Sequence, residues 1–371
     1  MIKNNKGHNI ERNSKKNVAL DIINTTLLQY GFTELSLPIY EYYDLLQDTV
    51  YNFSDESIIR FMDRNTGKTL VLRPDFTPQV CRIVNGIDNL ILPFRASYNG
   101  PVFRSVEKDR GIKSEEFQAG WEIFGEDSIF GDIEIIITTY DILNKLGVKG
   151  FLFSFGDTVF ISILKELLGN NSHEILEAVS NRRIKDLKNL LQPLNINNNL
   201  KEFIAKLPLS FGEEDVIDNM INECSNIDNS LTNRLKDIKA LFQKLQNYGI
   251  NKNMLIFDGA ESKGLDYYTG IHFEILHPNF GACLGSGGRY DNLMAKFGKN
   301  ISACGAALNL DNLFNFPICS SNEKVYDYLV LGEENFSKAM DLRKKGAEVI
   351  FVTNKNKKDE FVKHYKFKNI I

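Results

Sequence analysis

Cysteine is scarce in this chain and poorly placed for cross-linking. The five residues, at positions 81, 224, 283, 304 and 319, are scattered, odd in number and form no CxxC pair. No histidine stands near them at metal-ligand spacing. A disulfide framework and a structural zinc site are therefore not expected, and the thiols read as the reduced groups of a cytoplasmic protein. The five histidines are equally dispersed and give no metal motif. Positive charge is not in surplus either: the net charge is −4 and the isoelectric point about 5.9. That argues against a broad basic field for nucleic acid. No run of ~18 apolar residues exists to span a bilayer. The basic N-terminal stretch lacks the apolar segment of a signal peptide. There is no internal repeat, no P-loop, no GxGxxG and no Ser-His-Asp or Cys-His set.

What is present is ordinary globular composition, 43 % hydrophobic and 25 % charged over 371 residues, enough for two or three domains. Val18, Ala19, Ile22, Ile23, Leu27 and Leu28 recur at helical spacing before Gly31. A flexible segment 1–14 is expected before that helix. "FRASYNGPVFRSV" and "SEEFQAGWEIFG" read as two strands of a hairpin, joined by a charged loop. "TPQVCRIV" opens a helix, with Thr77 at the N-cap and Pro78 at N1. Residues 157–250 change to a helical insertion, with one stripe at Leu231, Leu235, Ile238, Leu241, Phe242 and Leu245. Strand-rich sequence returns from Met254, and "GSGGRYDNL" reads as a turn opening a helix. Residues 319–371 form a small α/β tail. Strands and helices do not alternate regularly, so the expectation is α+β, with a core over 15–318.

Several constellations could hold a ligand. Alternation along "EEFQAGWEIFG" puts Phe117, Ala119, Trp121 and Ile123 on one face and Gln118, Gly120 and Glu122 on the other. An amide and a carboxylate then flank a hollow that suits ring nitrogens or an amine. Asp75 and Thr77 in "LRPDFT" can hold an ammonium group, although both also suit a turn and a helix cap. Arg104 offers a cation to a carboxylate or phosphate, or is a surface arginine. In "KGLDYYTG" one tyrosine can pack inward while the other presents its hydroxyl.

The order of these motifs is more specific than any one of them. RPDFT, FRSV, EEFQAGWEIFG, KGLDYYTG, GSGGRYDNL and CGAALNLDNL resemble, in that order, the catalytic core of histidyl-tRNA synthetases. The chain resembles still more closely their non-catalytic relative, the regulatory subunit of ATP phosphoribosyltransferase. The resemblance covers about residues 15–315. It implies a class II synthetase fold, an antiparallel sheet flanked by helices that forms a homodimer. It also implies a histidine-like ligand pocket at Asp75, Thr77, Arg104, Gln118, Glu122, Lys263, Tyr268 and Tyr290.

The departures from the synthetases bear on activity. Lys263 stands where they have arginine before GLDYY, and loses the planar fork. Asp311 and Asn312 stand where their third motif ends in Glu-Arg. Val106 replaces an acid, and Phe76 replaces the glycine of RPEGT. Losing one group that stabilises transition-state charge commonly costs ~10²–10³ in rate. The stretch after Phe314 falls short of the ~100 residues of an ordinary small domain, so no full anticodon-binding domain and no tRNA partner are expected. The resemblance therefore implies a non-catalytic subunit without cofactor or metal. Its expected partner is the short-form phosphoribosyltransferase catalytic subunit, in a hetero-octamer at the first step of histidine biosynthesis, with histidine as feedback ligand. An active histidyl-tRNA synthetase, or another class II amino-acid ligase, is the alternative.

Overall fold

The computed structural model of the chain describes residues 6–46, 57–105, 114–261, 268–318 and 325–371, without the side chains of 6–14 and 46. Val106, Lys263, Tyr267, Cys319 and the loop 107–113 lie outside the described residues. After a first helix, Lys6–Gln29, come β1 (Thr33–Glu34), β2 (Tyr40–Tyr42), β3 (Arg60–Met62) and β4 (Thr69–Leu72). A helix over Thr77–Asn85 precedes β5 (Phe94–Phe103) and β6 (Glu115–Phe124). A second, Ile129–Lys145, leads to β7 (Leu152–Asp157). Helices fill most of the chain from Thr158 to Asn247, interrupted by β8 (Phe211–Gly212). Then come β9 (Leu255–Asp258), β10 (Ile271–His277), β11 (Phe280–Arg289) and β12 (Ala303–Asn309). The last stretch holds β13 (Val325–Leu331), β14 (Val349–Val352) and β15 (Lys366–Ile370).

Contacts divide the chain into two units, one of residues 19–316 and one of 1–18 with 317–371. The larger is built on a nine-stranded sheet of order β1-β5-β6-β12-β11-β10-β7-β9-β8. From β5 across to β7 each neighbour is antiparallel. The pairs β1–β5 and β7–β9 are parallel, so the sheet is mixed rather than antiparallel throughout. Parallel neighbours need a long crossover. The helical insertion is that crossover, joining β7 to β9. Its expected stripe is buried from Leu231 to Leu245, with each of those side chains at most 3 % exposed. In the smaller unit, β13 pairs in parallel with β14 and β15 over a core of Leu329, Leu331 and Val352.

Three local expectations change. The first helix starts at Lys6 rather than near Lys15, because once a helix is nucleated each further residue adds a backbone hydrogen bond. Its buried line is Ala19, Ile23 and Leu27, while Leu28 is exposed. The helix at Thr77 has Phe76 as its cap residue, and Asp75 Oδ1 accepts the Phe76 N–H at 2.7 Å. "GSGGR" is not a turn but the end of β11. It is glycine-rich because neighbouring backbone presses on it: a Cβ at Gly287 would lie 2.5 Å from the Gly305 carbonyl.

Arg289, next to that glycine pair, ties the sheet to the helix Ile129–Lys145. Its Nε and Nη2 donate to Asp132 at 2.9–3.1 Å, and its other donors reach the carbonyls of Glu126 and Ser128. Burial alone would lower the Arg289 pKa, but the Asp132 carboxylate more than offsets this and raises it. The two side chains are 10 % and 9 % exposed. Removing one partner of such a pair strands a buried charge, at about 3–5 kcal/mol. Arg289→Ala is expected to lose that much in urea unfolding, as a fall in midpoint at constant slope. A loss under about 1 kcal/mol would show that the pair is not what holds this helix to the sheet.

Candidate functional site

One cavity of about 170 Å³ opens on the face of the sheet beneath the helix Thr77–Asn85. Asp75, Thr77, Tyr98, Arg104, Gln118, Glu122, Tyr268, Ser286 and Tyr290 line it, over a floor of Gly287, Gly305, Ala306 and Ala307. Every residue expected from the sequence is here except Lys263, which lies outside the described residues. Gln118 and Glu122 come from alternate positions of β6, while Ala119, Trp121 and Ile123 are fully buried. Tyr290 comes directly after β11, and its N–H donates to the Ala303 carbonyl at 2.8 Å.

Tyr98 and Ser286 were not anticipated. Tyr98 explains the glycine between Gln118 and Glu122. In the β5–β6 register Tyr98 faces Gly120. A Cβ at Gly120 would lie 2.5 Å from both Tyr98 Cζ and its hydroxyl oxygen. The hollow expected over Gly120 is thus filled by a phenol ring, which donates its O–H to Glu122 Oε1 at 3.0 Å. Finding Tyr98 needs the observed register of β5 on β6, which sets Phe103 opposite Glu115 and so Tyr98 opposite Gly120. The far side of the ring stacks on Phe76, centroids 4.4 Å apart and planes 19° off parallel. Arg73 caps that stack 3.8 Å above Phe76 and directs its donors to the carbonyls of Leu37, Pro38 and Pro101. Gly305 serves the floor in the same way: a Cβ there would lie 2.8 Å from Glu122 Cγ and from Tyr290 Oη.

The electrostatics result from this burial. Glu122 is 1 % exposed. Burial pushes its carboxyl up to about 8, against hydroxyls of Thr77, Tyr98 and Tyr290 that favour the charged form and with the Asp75 charge adding to the rise. Burial also raises Asp75, with Arg104 pulling the other way. Arg104 donates to the Pro74 carbonyl at 3.2 Å and pairs with Glu116 at 3.3 Å. On the other wall Tyr268 stacks on His272, 5.1 Å between centroids and 6° between planes. His272 is 4 % exposed, and burial lowers its pKa. The pocket thus offers two carboxyl groups, one amide and a ring of hydroxyls. That set suits a small ligand bearing a cationic or N–H-donating group.

Asp311 and Asn312 are committed elsewhere. Asp311 Oδ2 accepts the Phe117 N–H at 3.1 Å, and Asn312 Nδ2 donates to the Cys283 carbonyl at 2.8 Å. Among the described residues no cluster of His, Cys, Asp and Glu could hold a metal ion.

The histidyl-tRNA synthetase family model matches residues 12–313. Relatives named ATP phosphoribosyltransferase regulatory subunit include one from Geobacter metallireducens, 34 % identical over 77 % of this chain and 66 % of its own. Another, from Ruminiclostridium cellulolyticum, is 34 % identical over 78 % of this chain and 70 % of its own. The chain thus spans about two thirds of the length of these relatives. Among solved structures, an ATP phosphoribosyltransferase regulatory subunit/histidyl-tRNA synthetase from Bacillus halodurans has a TM-score of 0.81 at 24 % identity, covering 97 % of this chain and 93 % of its own. A histidyl-tRNA synthetase from Nostoc reaches 0.74 at 19 % identity, covering 93 % and 85 %. These two likenesses show the class II synthetase fold.

The raised Glu122 carboxyl makes stability depend on pH in a definite direction. Its folded pKa lies above the unfolded value, so the stability it contributes is complete below about 4.5 and lost as pH rises through about 8. Glu122→Gln keeps the acceptor for Tyr98 and removes the charge. The variant is expected to match the parent near pH 5 and to exceed it at pH 9 by on the order of 3 kcal/mol. Parallel melting curves of the two proteins between pH 5 and 9 would contradict the assignment.

Proposed function

The chain belongs to the family of ATP phosphoribosyltransferase regulatory subunits, built on the histidyl-tRNA synthetase fold, and on that premise we propose that it regulates histidine biosynthesis without catalysing a step. Its partner in this reading is the short-form catalytic subunit of the phosphoribosyltransferase. It acts as a synthetase-like homodimer within a cytoplasmic hetero-oligomer, and the hetero-octamer is the assembly the resemblance implies. The ligand of the cavity is histidine: Glu122 and Gln118 face the imidazole, Asp75 and Thr77 the ammonium group, and Arg104 the carboxylate side, to which the resemblance also assigns Lys263. Tyr268 and Tyr290 close the walls. No cofactor, metal or tRNA enters this reading.

The observation that carries the non-catalytic half is Asn312. A synthetase-like site handles a triphosphate mainly by electrostatic stabilisation. Asn312 is neutral, and its side-chain amide is turned to the Cys283 carbonyl. A chain without that chemistry still acts by binding one state of a partner more tightly than another, which shifts the partner's population. The exposed apolar side chains Ile39, Tyr40, Phe61 and Met62, on and beside the small sheet of β2, β4 and β3, give a second copy a surface to pack on.

The catalytic subunit from the same cell is expected to be nearly inactive alone. Adding this chain is expected to raise its rate by about five- to 150-fold, the range of a typical coupling free energy, and to make it sensitive to histidine. Separate elution at micromolar concentration together with an unchanged rate would overturn the reading. Histidine-dependent ATP–pyrophosphate exchange by this chain is expected to stay at background, and steady exchange would restore the synthetase or ligase alternative.

A further inference from the structure

Tyr98 touches Glu122 from the cavity wall, over Gly120, and three features show that its position is built rather than incidental. The ring is 3 % exposed, and its cradle over Gly120 admits no side chain. Its outer face is clamped by the Phe76 ring, which Arg73 holds in turn. Its hydroxyl ends 3.0 Å from Glu122 Oε1, and a phenol with its proton in place can only donate to a carboxylate. We propose that Tyr98 is a positioning residue that sets the charge of Glu122 toward the ligand, and that Phe76 acts through it by fixing the ring. This rests on the ligand pocket described above.

The physical argument is a balance. Burial disfavours the Glu122 carboxylate, and a hydroxyl donated to it favours the carboxylate. The groups facing Glu122 are Asp75 and Thr77 at the helix start, Cys81 within that helix, Tyr98 on β5 and Tyr290 after β11. Asp75 and a Cys81 thiolate would add like charge, and Arg104 acts on Asp75. Of the hydroxyls, Tyr98 is the one fixed by a stack on one side and a glycine on the other. An orienting group of this kind holds the carboxyl in one rotamer and biases it toward the ionised form, which attracts a cationic ring or amine.

The test tracks the carboxyl itself in the ligand-free, full-length protein. ¹³C-carboxyl labelling of glutamate gives a titration curve for Glu122, assigned by its loss in Glu122→Gln. Tyr98→Phe keeps the ring and its stack but removes the donor, and is expected to move the midpoint up by about one pH unit. Phe76→Leu keeps the hydroxyl but frees the ring, and is expected to move it in the same direction by less. The pH dependence of L-histidine affinity, measured by calorimetry, is expected to shift with the carboxyl midpoint. An unmoved carboxyl midpoint in Tyr98→Phe overturns the proposal. So does an affinity lowered equally at every pH, which is the signature of lost packing alone. If wild-type protein binds no histidine while the carboxyl midpoints still shift, the tuning by Tyr98 stands and the histidine reading of the pocket is the part that fails.

Discussion

The cavity exists because the middle of the sheet has almost no side chains on one face. Where β6, β12 and β11 lie side by side, the positions on that face include Gly120, Gly305 and Gly288, with Ala307 and Ser286 around them. A methyl group at any of the three glycines would collide with a neighbouring strand, ring or carboxyl. Close packing otherwise fills every such space. The larger residues therefore stand around this floor rather than on it, and the polar groups that reach over it are carried by rigid strands and one helix start. Their geometry is inherited from the sheet.

That same enclosure decides the charge. Two carboxyl groups, Asp75 and Glu122, share a small space, and burial lifts both. Groups so placed titrate as a coupled set, with the first ionisation discouraging the second. Arg104 is divided between Asp75, the Pro74 carbonyl and Glu116, so it moderates the pair without neutralising it. The charge of the pocket is thereby set by how many of the two carboxyls are ionised, a state that an entering cation would favour.

Much of this was legible in the sequence, for reasons specific to each element. Period-two alternation placed Gln118 and Glu122 on one face of β6 and Trp121 on the other, because β6 is long, regular and central. Motif order brought together Asp75, Arg104, Tyr268 and Tyr290, which no local pattern links. The misreadings also have causes. Glycine in "GSGGR" signals a turn by composition, but here it answers to the backbone of β12, which is distant in sequence. Thr77 has the residue type of a cap, yet Phe76 holds the cap position, Asp75 accepts the Phe76 N–H, and the threonine side chain is left to the cavity. Tyr98 was missed because its meaning depends on the register of β5 against β6. The parallel pairs at β1–β5 and β7–β9 were missed because β1 is two residues long and β9 four, too short for a hydrophobic pattern to show which strand they join.

The crossover between β7 and β9 has a consequence for how this fold can vary. The chain from Thr158 to Met254 leaves β7 and returns to the neighbouring strand β9, rejoining the sheet on the way only through the two-residue β8, so for the β7–β9 pair it is one closed loop. The entropy of closing a loop grows only with the logarithm of its length, about 0.6 kcal/mol for each doubling. Lengthening or trimming these helices, provided their own buried stripe remains covered, therefore changes the stability of the β7–β9 pairing very little. None of the residues lining the cavity belongs to this stretch. The insertion is the part of the core free to drift in size and surface, and so to acquire or lose recognition of another molecule, while the pocket stays as it is.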